Sequence, residues 1–312
     1  MNILMGTMEQ GLIFAIMALG LYISYKILDF PDLTVDGSFP MGAAIAASLI
    51  VKGVNPVMAL VAAFIGGALA GLVTGFIHVK YNITNLLAGI IVMTGLYSIN
   101  LRIMGRSNIP LFGVEHIFSG KNKIMVILLL IVICKLVIDF LMRTKFGFAL
   151  RALGDNETLV ISLGLNEKVL KIQGLMIANG LVALSGGILA QYQGFADIAM
   201  GTGTIVTGLA SIIIGESIMR KGRFLNITTI VIAGSIIYRL IISGALQIGF
   251  NASDLKLITA ILTVGIMALK VKKVKARGGK LNVKNRGIKE IISVGARECK
   301  GSIQGTQLQP GR

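Results

Sequence analysis

Apolar residues run along this chain in blocks too long for the single stripe of a water-facing helix. They lie near 9–28, 39–52, 56–78, 84–104, 123–143, 169–193, 203–219, 224–243 and 254–271. A hydrocarbon core about 30 Å thick takes about 20 apolar residues to cross as a helix, so the pattern predicts eight to ten spans, about nine. The second and seventh runs are short, which predicts a helix broken at membrane depth, where irregular backbone survives only against protein or water. Gly67, Gly71 and Gly75 recur at intervals of four, placing a small-residue stripe for helix packing on the third helix.

Basic residues between the runs orient them. Arg143, Lys145, Arg151, Lys168 and Lys171 put the loop 144–168 in the cytoplasm; Arg220, Lys221, Arg223 and the basic end of the chain agree with it. Arg106 and Lys121 disagree, since parity places 105–122 outside. One helix is therefore expected to be re-entrant, and the N-terminal side stays open with the outside favoured. The first run follows Glu9 in place of a basic region and has no small-residue cleavage site, so it is expected to stay as a helix.

Composition fixes the class. The chain is 54% hydrophobic and 14% charged with a mean hydropathy of +0.83, and holds 39 Gly against 5 Pro. That describes an all-α, polytopic transmembrane bundle. The net charge of +16 is concentrated: residues 270–312 carry 12 Lys/Arg against 2 Glu. The chain thus divides into a membrane domain over 1–275 and a basic tail over 276–312, expected to be disordered in the cytoplasm and drawn to anionic lipid. Without interleaved aromatics the tail does not read as a nucleic-acid site. Cys134 lies in an apolar run and Cys299 in the tail, so no disulfide is expected.

One stretch, FALRALGDNETLVISLGLNE over 148–167, interrupts the apolar pattern. Gly154 breaks the chain, Asp155 is placed to cap the next amides, Glu157 suits the positive helix end and Gly164 ends the helix. Two turns result, with Leu159, Val160 and Leu163 expected on one apolar face. That face needs a partner, either the membrane surface or a groove in another protein.

Candidate chemistry is sparse. Asp29, Asp32 and Asp36 flank Pro31 and Gly37, where a broken helix would put acids beside a solute path; a solvated surface turn is the alternative. Asn85 and Asn100 are further path candidates, with an interhelical hydrogen-bonding role as the favoured alternative. Asn179, Gln191 and Glu216 read as interhelical hydrogen-bond partners, Glu216 pairing with Arg239. No metal site is expected: His78 and His116 are far apart, no H-E-x-x-H occurs, and paired Cys ligands are lacking. A secondary carrier or channel is the rival class. Its coupling charges are missing from 56–78 and 84–101, which hold no Asp, Glu, Lys or Arg.

The run 144–194, TKFGFALRALGDNETLVISLGLNEKVLKIQGLMIANGLVALSGGILAQYQG, resembles the coupling loop and following helix of ABC-importer permeases of the branched-chain amino acid, ribose and nucleoside group. Gly154, Asn156, Gly164, Leu165 and Asn166 match the group's coupling-helix pattern, and Ala183, Gly186 and Gly187 the small-residue helix after it. Ser162 and Leu163 depart from it. DFPDLTVDGSFPMGAAIAA, residues 29–47, is similar to the first-loop motif of the amino-acid-type branch placed with tryptophan or tyrosine uptake. GTGTIVTGLASIIIGES, residues 201–217, resembles a late conserved region. The resemblance covers most of 9–270.

It implies a permease subunit and no enzyme, working as a homodimer with a cytosolic ABC ATPase dimer and an extracytoplasmic solute-binding protein in the cell membrane, its C-terminus cytoplasmic. ATP and Mg would belong to the ATPase, and no cofactor to this chain, which has no G-x-x-x-x-G-K-[S/T]. Residues 154–157, 159, 160, 163, 164 and 166 would couple to the ATPase. The implied solute is small and hydrophilic, an amino acid first, with nucleosides or sugars behind.

Overall fold

A computed structural model of the chain describes residues 3–120, 122–219 and 226–247, with Leu257 and Thr259. The run 254–271 apart from those two residues, Lys121, Arg220, Lys221, Arg223, Cys299 and the tail from 276 lie outside the described residues.

The helices are α1 (Ile3–Leu21), α2 (Val35–Val51), α3 (Pro56–Tyr81), α4 (Asn85–Met104), α5 (Lys123–Arg143), α6 (Lys145–Asp155), α7 (Glu157–Ser162), α8 (Glu167–Gln193), α9 (Thr204–Met219) and α10 (Ile227–Gln247). Two short strands, β1 (Asn108–Pro110) and β2 (Phe195–Asp197), pair antiparallel with Ile109 opposite Ala196. Among the described residues seven helical stretches are long and apolar enough to cross a membrane, and α2 is a shorter apolar helix.

α8 is the axis of the bundle. It starts beside the α6–α7 segment and ends at β2, with Asn166 capping its first turn and Gly194 its last in a left-handed conformation (φ +79). α3 runs antiparallel to it because glycine permits close approach: a β-carbon on Gly67 would strike the Asn179 carbonyl, on Gly71 the Leu175 carbonyl, and on Gly75 would stand 3.0 Å from Ile172 Cα. The predicted stripe is this contact. Where lipid offers no hydrophobic drive to associate, such backbone proximity supplies the dispersion energy. α3 itself begins with Pro56 behind Asn55, whose side chain accepts from the Val57 amide.

Directions alternate throughout. Gly6 of α1 lies near Tyr192 at the β2 end, whereas a β-carbon on Gly154 would strike the carbonyl of Ile27 at the α6–α7 end. β1 pairs with β2, so the 105–120 loop sits at the end opposite α6–α7. Among α1 to α5 no re-entrant helix accounts for the basic 105–122 loop: α1, α3, α4 and α5 run the length of the bundle, α2 starts beside Asn179 midway along α8 and runs to the β end, and Arg106 lies exposed at that end.

The broken helix is present. α1 loosens into a π-helical stretch, Tyr22–Ile27, then irregular backbone covers 28–34 before α2 starts at Val35. Asp29 turns the chain with a left-handed φ of +52, and the Phe30 amide donates to the Ser24 carbonyl at 2.9 Å. The outer faces of α4 and α5, including Leu86, Ile90, Leu129 and Phe140, are exposed, as expected of surfaces turned to lipid.

Candidate functional site

Two arrangements carry the candidate residues: the α6–α7 segment at one end of the bundle and the break between α1 and α2 inside it.

The α6–α7 segment is two helices, whereas the sequence suggested one. Thr144 caps α6, its hydroxyl accepting from the Gly147 amide. Gly154 does not break the chain; it lies in the last turn of α6, pressed on the Ile27 carbonyl where a β-carbon has no room. Asp155 is exposed and closes α6 without capping the next helix. That cap is Asn156, whose Oδ1 accepts from the Leu159 amide at 3.2 Å. The extended backbone of Asn156 separates the two helices, and only the residue with that backbone can reach the third amide beyond it.

α7 is then pinned from three sides. Glu157 accepts from Lys171 Nζ at 2.6 Å. Gly164, at φ +74, reverses the chain while its amide donates to the Ile161 carbonyl and that of Leu165 to the Val160 carbonyl. Asn166 accepts from the Lys168 and Val169 amides and starts α8. The expected ridge is rearranged: Val160 is fully buried and anchors the helix, while Leu159, Leu163 and Ile161 are 49%, 65% and 52% exposed. Ile161 was missed because a six-residue helix is too short for period counting to choose a face. Exposed apolar side chains on both flanks of a well-capped knob, Leu159 and Leu163 on one and Ile161 on the other, suit a groove that encloses the helix.

At the break, the three acids separate. Asp29 is exposed. Asp32 is buried and accepts from Asn179 Nδ2 at 2.7 Å and the Thr34 amide at 2.9 Å. Asn179 Oδ1 accepts from the Ser38 hydroxyl at 2.7 Å, and the Thr34 and Thr74 hydroxyls lie 2.8 Å apart. This network ties the irregular segment to α2, α3 and α8. Asp36 serves another purpose: its carboxylate accepts from the Gly203 and Ile205 amides and from Thr204 Oγ1, at 2.8–3.0 Å, completing the N-terminus of α9. Asn100 donates to the Gly37 carbonyl at 3.1 Å, and its Oδ1 is buried without a partner among the described residues. Asn85 is half-buried at the start of α4.

Gln191 bonds between elements as expected, His78 finds a backbone partner, and one expected pair is replaced. Gln191 accepts from the Ile117 amide at 3.0 Å, and His78 Nδ1 lies 2.7 Å from the Ile83 carbonyl that accepts its hydrogen bond. The expected Glu216–Arg239 pair is replaced by Lys26–Glu216 at 3.3 Å, since Lys26, in the π-helical stretch after α1, lies at the same end of the bundle as Glu216. Sequence reasoning also passed over Ser38, Thr34 and Thr74, small hydroxyls with no distinguishing spacing.

The break before α2, the glycine-tight α3–α8 pair and the capped knob all lie within the stretch matched by one family model. The model described as branched-chain amino acid transport system / permease component matches residues 3–268. The chain belongs to this permease family. The tyrosine transport system permease protein of Clostridioides difficile is 51% identical over 269 residues, covering 86% of this chain and 91% of that protein. An uncharacterized protein of Rickettsia prowazekii is 38% identical over 84% of this chain and 95% of its own length. The ribose import permease protein of Escherichia coli K12 is 27% identical over 82% and 78%. No solved structure matches the chain. The permease is a multi-pass membrane component of an ABC-type transport system, and every described site residue lies inside the matched region.

Proposed function

We propose that this permease forms the translocation path of an amino-acid importer, with tyrosine as the first candidate solute. Two copies would enclose the path, a cytosolic ABC ATPase pair would spend ATP and Mg, and an extracytoplasmic solute-binding protein would deliver the solute. The observation that carries the reading is the α7 knob: Leu159, Ile161 and Leu163 face outward from a helix whose Val160 is fully buried. A short capped element with exposed apolar side chains, Leu159 and Leu163 one turn apart and Ile161 on the other flank, suits the receipt of force in a groove of a soluble subunit, and is too short for firm attachment to lipid. On this reading α6–α7 is cytoplasmic, the N-terminus is outside, and the solute passes near the broken helix, where the Asn100 Oδ1 is left open. Tyrosine is favoured over ribose because the tyrosine permease is 51% identical and the ribose permease 27%.

The test is uptake in liposomes holding the permease with its partner ATPase and binding protein. ATP-dependent accumulation of labelled tyrosine is expected. Accumulation of ribose or a nucleoside with none of any amino acid would replace the solute, and uptake that needs no ATPase would replace the mechanism.

A further inference from the structure

At the β end of the bundle α1 and α10 part around a cavity of about 260 Å³. Its floor is tight: a β-carbon on Gly11 would stand 3.1 Å from Ile236 Cα, and the Ser235 hydroxyl donates to the Gly11 carbonyl at 2.9 Å. Towards the helix ends the Thr7 hydroxyl donates to that of Ser243 at 2.9 Å across the gap. The lining mixes the polar side chains of Thr7, Gln10, Ser243 and Arg239 with Gly6, Ile242 and Leu246.

Arg239 is the anomaly. It sits eight residues before the end of α10, about 12 Å along the helix at 1.5 Å per residue, where an isolated charge is costly and marks a function by default. Its guanidinium carbon stacks 3.8 Å from the centroid of the Phe14 ring, and its Nε is buried with no hydrogen-bond partner among the described residues. The other cations in ion pairs, Lys26, Lys135 and Lys171, each have a carboxylate within 3.3 Å. Arg239 has none among the described residues. Glu9, the acid of α1 nearest in sequence to Thr7 and Gln10, accepts from the Tyr192 hydroxyl at 2.8 Å. A fork of donors stacked on an aromatic ring and lining a cavity that also offers Thr7, Gln10 and Ser243 fits a planar oxyanion, and Ile242 and Leu246 offer it an apolar wall.

We propose that this cavity is a binding site for the carboxylate of the transported amino acid, with Arg239 as the residue that recognises it. The inference rests on the amino-acid reading above. A solute released at the β end, which that reading puts outside, would meet the guanidinium before the broken helix. Thr7, Gln10 and Ser243 supply neutral hydrogen-bonding groups around it, so a net-zero amino acid enters without a second buried charge.

The experiment uses the assembled transporter in liposomes and labelled tyrosine, comparing wild type with Arg239→Gln, Arg239→Lys and Ser243→Leu. Loss of a charge-assisted contact predicts uptake about tenfold or more below wild type for Arg239→Gln, partial retention for Arg239→Lys, and a fall for Ser243→Leu, which fills the cavity and leaves Arg239 in place. Co-purification with the ATPase reports that each variant is folded; if Arg239→Gln fails to assemble, Ser243→Leu decides. Wild-type uptake by Arg239→Gln and Ser243→Leu overturns the inference and leaves the importer reading intact, whereas no amino-acid uptake by the wild type overturns that reading itself. The comparison is repeated in phosphatidylcholine alone and with phosphatidylglycerol. A deficit seen only with phosphatidylglycerol makes a lipid headgroup the ligand and overturns the inference.

Discussion

Replacing Leu163 by Asp tests the docking knob where it is most exposed. Leu159, Ile161 and Leu163 are 49%, 52% and 65% exposed, and fully burying one such side chain is worth about 1.5–3 kcal/mol. Covering all three would contribute roughly 2.5–5 kcal/mol before the costs of association. Leu163 supplies the largest share, about 1–2 kcal/mol. An aspartate in its place also asks a carboxylate to lose water against an apolar surface, adding about 1–3 kcal/mol after partial relaxation. A total near 2–5 kcal/mol corresponds to a Kd raised at least about thirtyfold, at tenfold per 1.4 kcal/mol.

The assay is titration of purified ATPase onto permease held in nanodiscs. Leu163→Asp should weaken binding by that factor, Ile161→Asp/Leu163→Asp should abolish it, and Leu163→Met, which keeps volume and apolarity, should stay within about threefold. Gly154→Asp is unsuitable, because Gly154 is packed on the Ile27 carbonyl and its replacement would disturb the fold. Unchanged affinity in the double variant, with normal membrane level, would refute the docking role of α7.

Three other perturbations probe the scaffold. Gly71→Val drives side-chain atoms into the Leu175 carbonyl, so the α3–α8 pair must separate; overpacking of this kind costs about 1–3 kcal/mol, read as a lower thermal midpoint in detergent. Asn179→Leu leaves Asp32 Oδ2 without its donor and Ser38 without its acceptor, with an expected loss of about 1–3 kcal/mol. Combined with Asp32→Leu it should cost less than the sum of the two, and strict additivity would show that the two side chains are not coupled. Asn156→Ala removes the α7 cap, worth about 0.5–2 kcal/mol, so the Leu159 amide should exchange about two- to thirtyfold faster, with α8 amides unchanged.

The spans were legible because lipid demands continuous apolarity, a signal that survives without knowledge of any contact. The glycine stripe was legible for a similar reason: a spacing of four selects one helix face before the partner is known. The acidic cluster was only half legible. Asp29, Asp32 and Asp36 look alike in sequence, yet one is exposed, one is held by Asn179 and one caps α9; their partners lie more than a hundred residues away in the chain, where no local pattern reaches. α7 failed at finer grain, because capping depends on whether Asp155 or Asn156 adopts extended backbone, which tertiary packing of Gly154 on Ile27 decides. The Glu216 partner was misassigned because both basic candidates lie in apolar runs and only the helix directions tell them apart.

The placement of Gly154 gives the knob a mechanical connection that its exposed side chains alone would not. α6 rests on the Ile27 carbonyl, and the side chains of Leu28 and Leu150 crowd Gly174 of α8, so α6, the end of the π-helical stretch and α8 meet in one buried contact. A packed interior of this kind has little compressibility. A displacement of α6–α7 must therefore be taken up by the 22–34 stretch, by α8, or by both. The first is the more compliant, since a π-helical segment followed by seven residues outside helix can alter its dihedrals without breaking a regular hydrogen-bond ladder. Its far end is held by Asp32 and Thr34 to α8 and α3 through Asn179 and Thr74. Movement entering at Ile27 would thus be concentrated between that residue and Asp32, directly below the start of α2, which places the yielding part of the chain between the knob and the helix whose first turn carries Asp36 and Gly37.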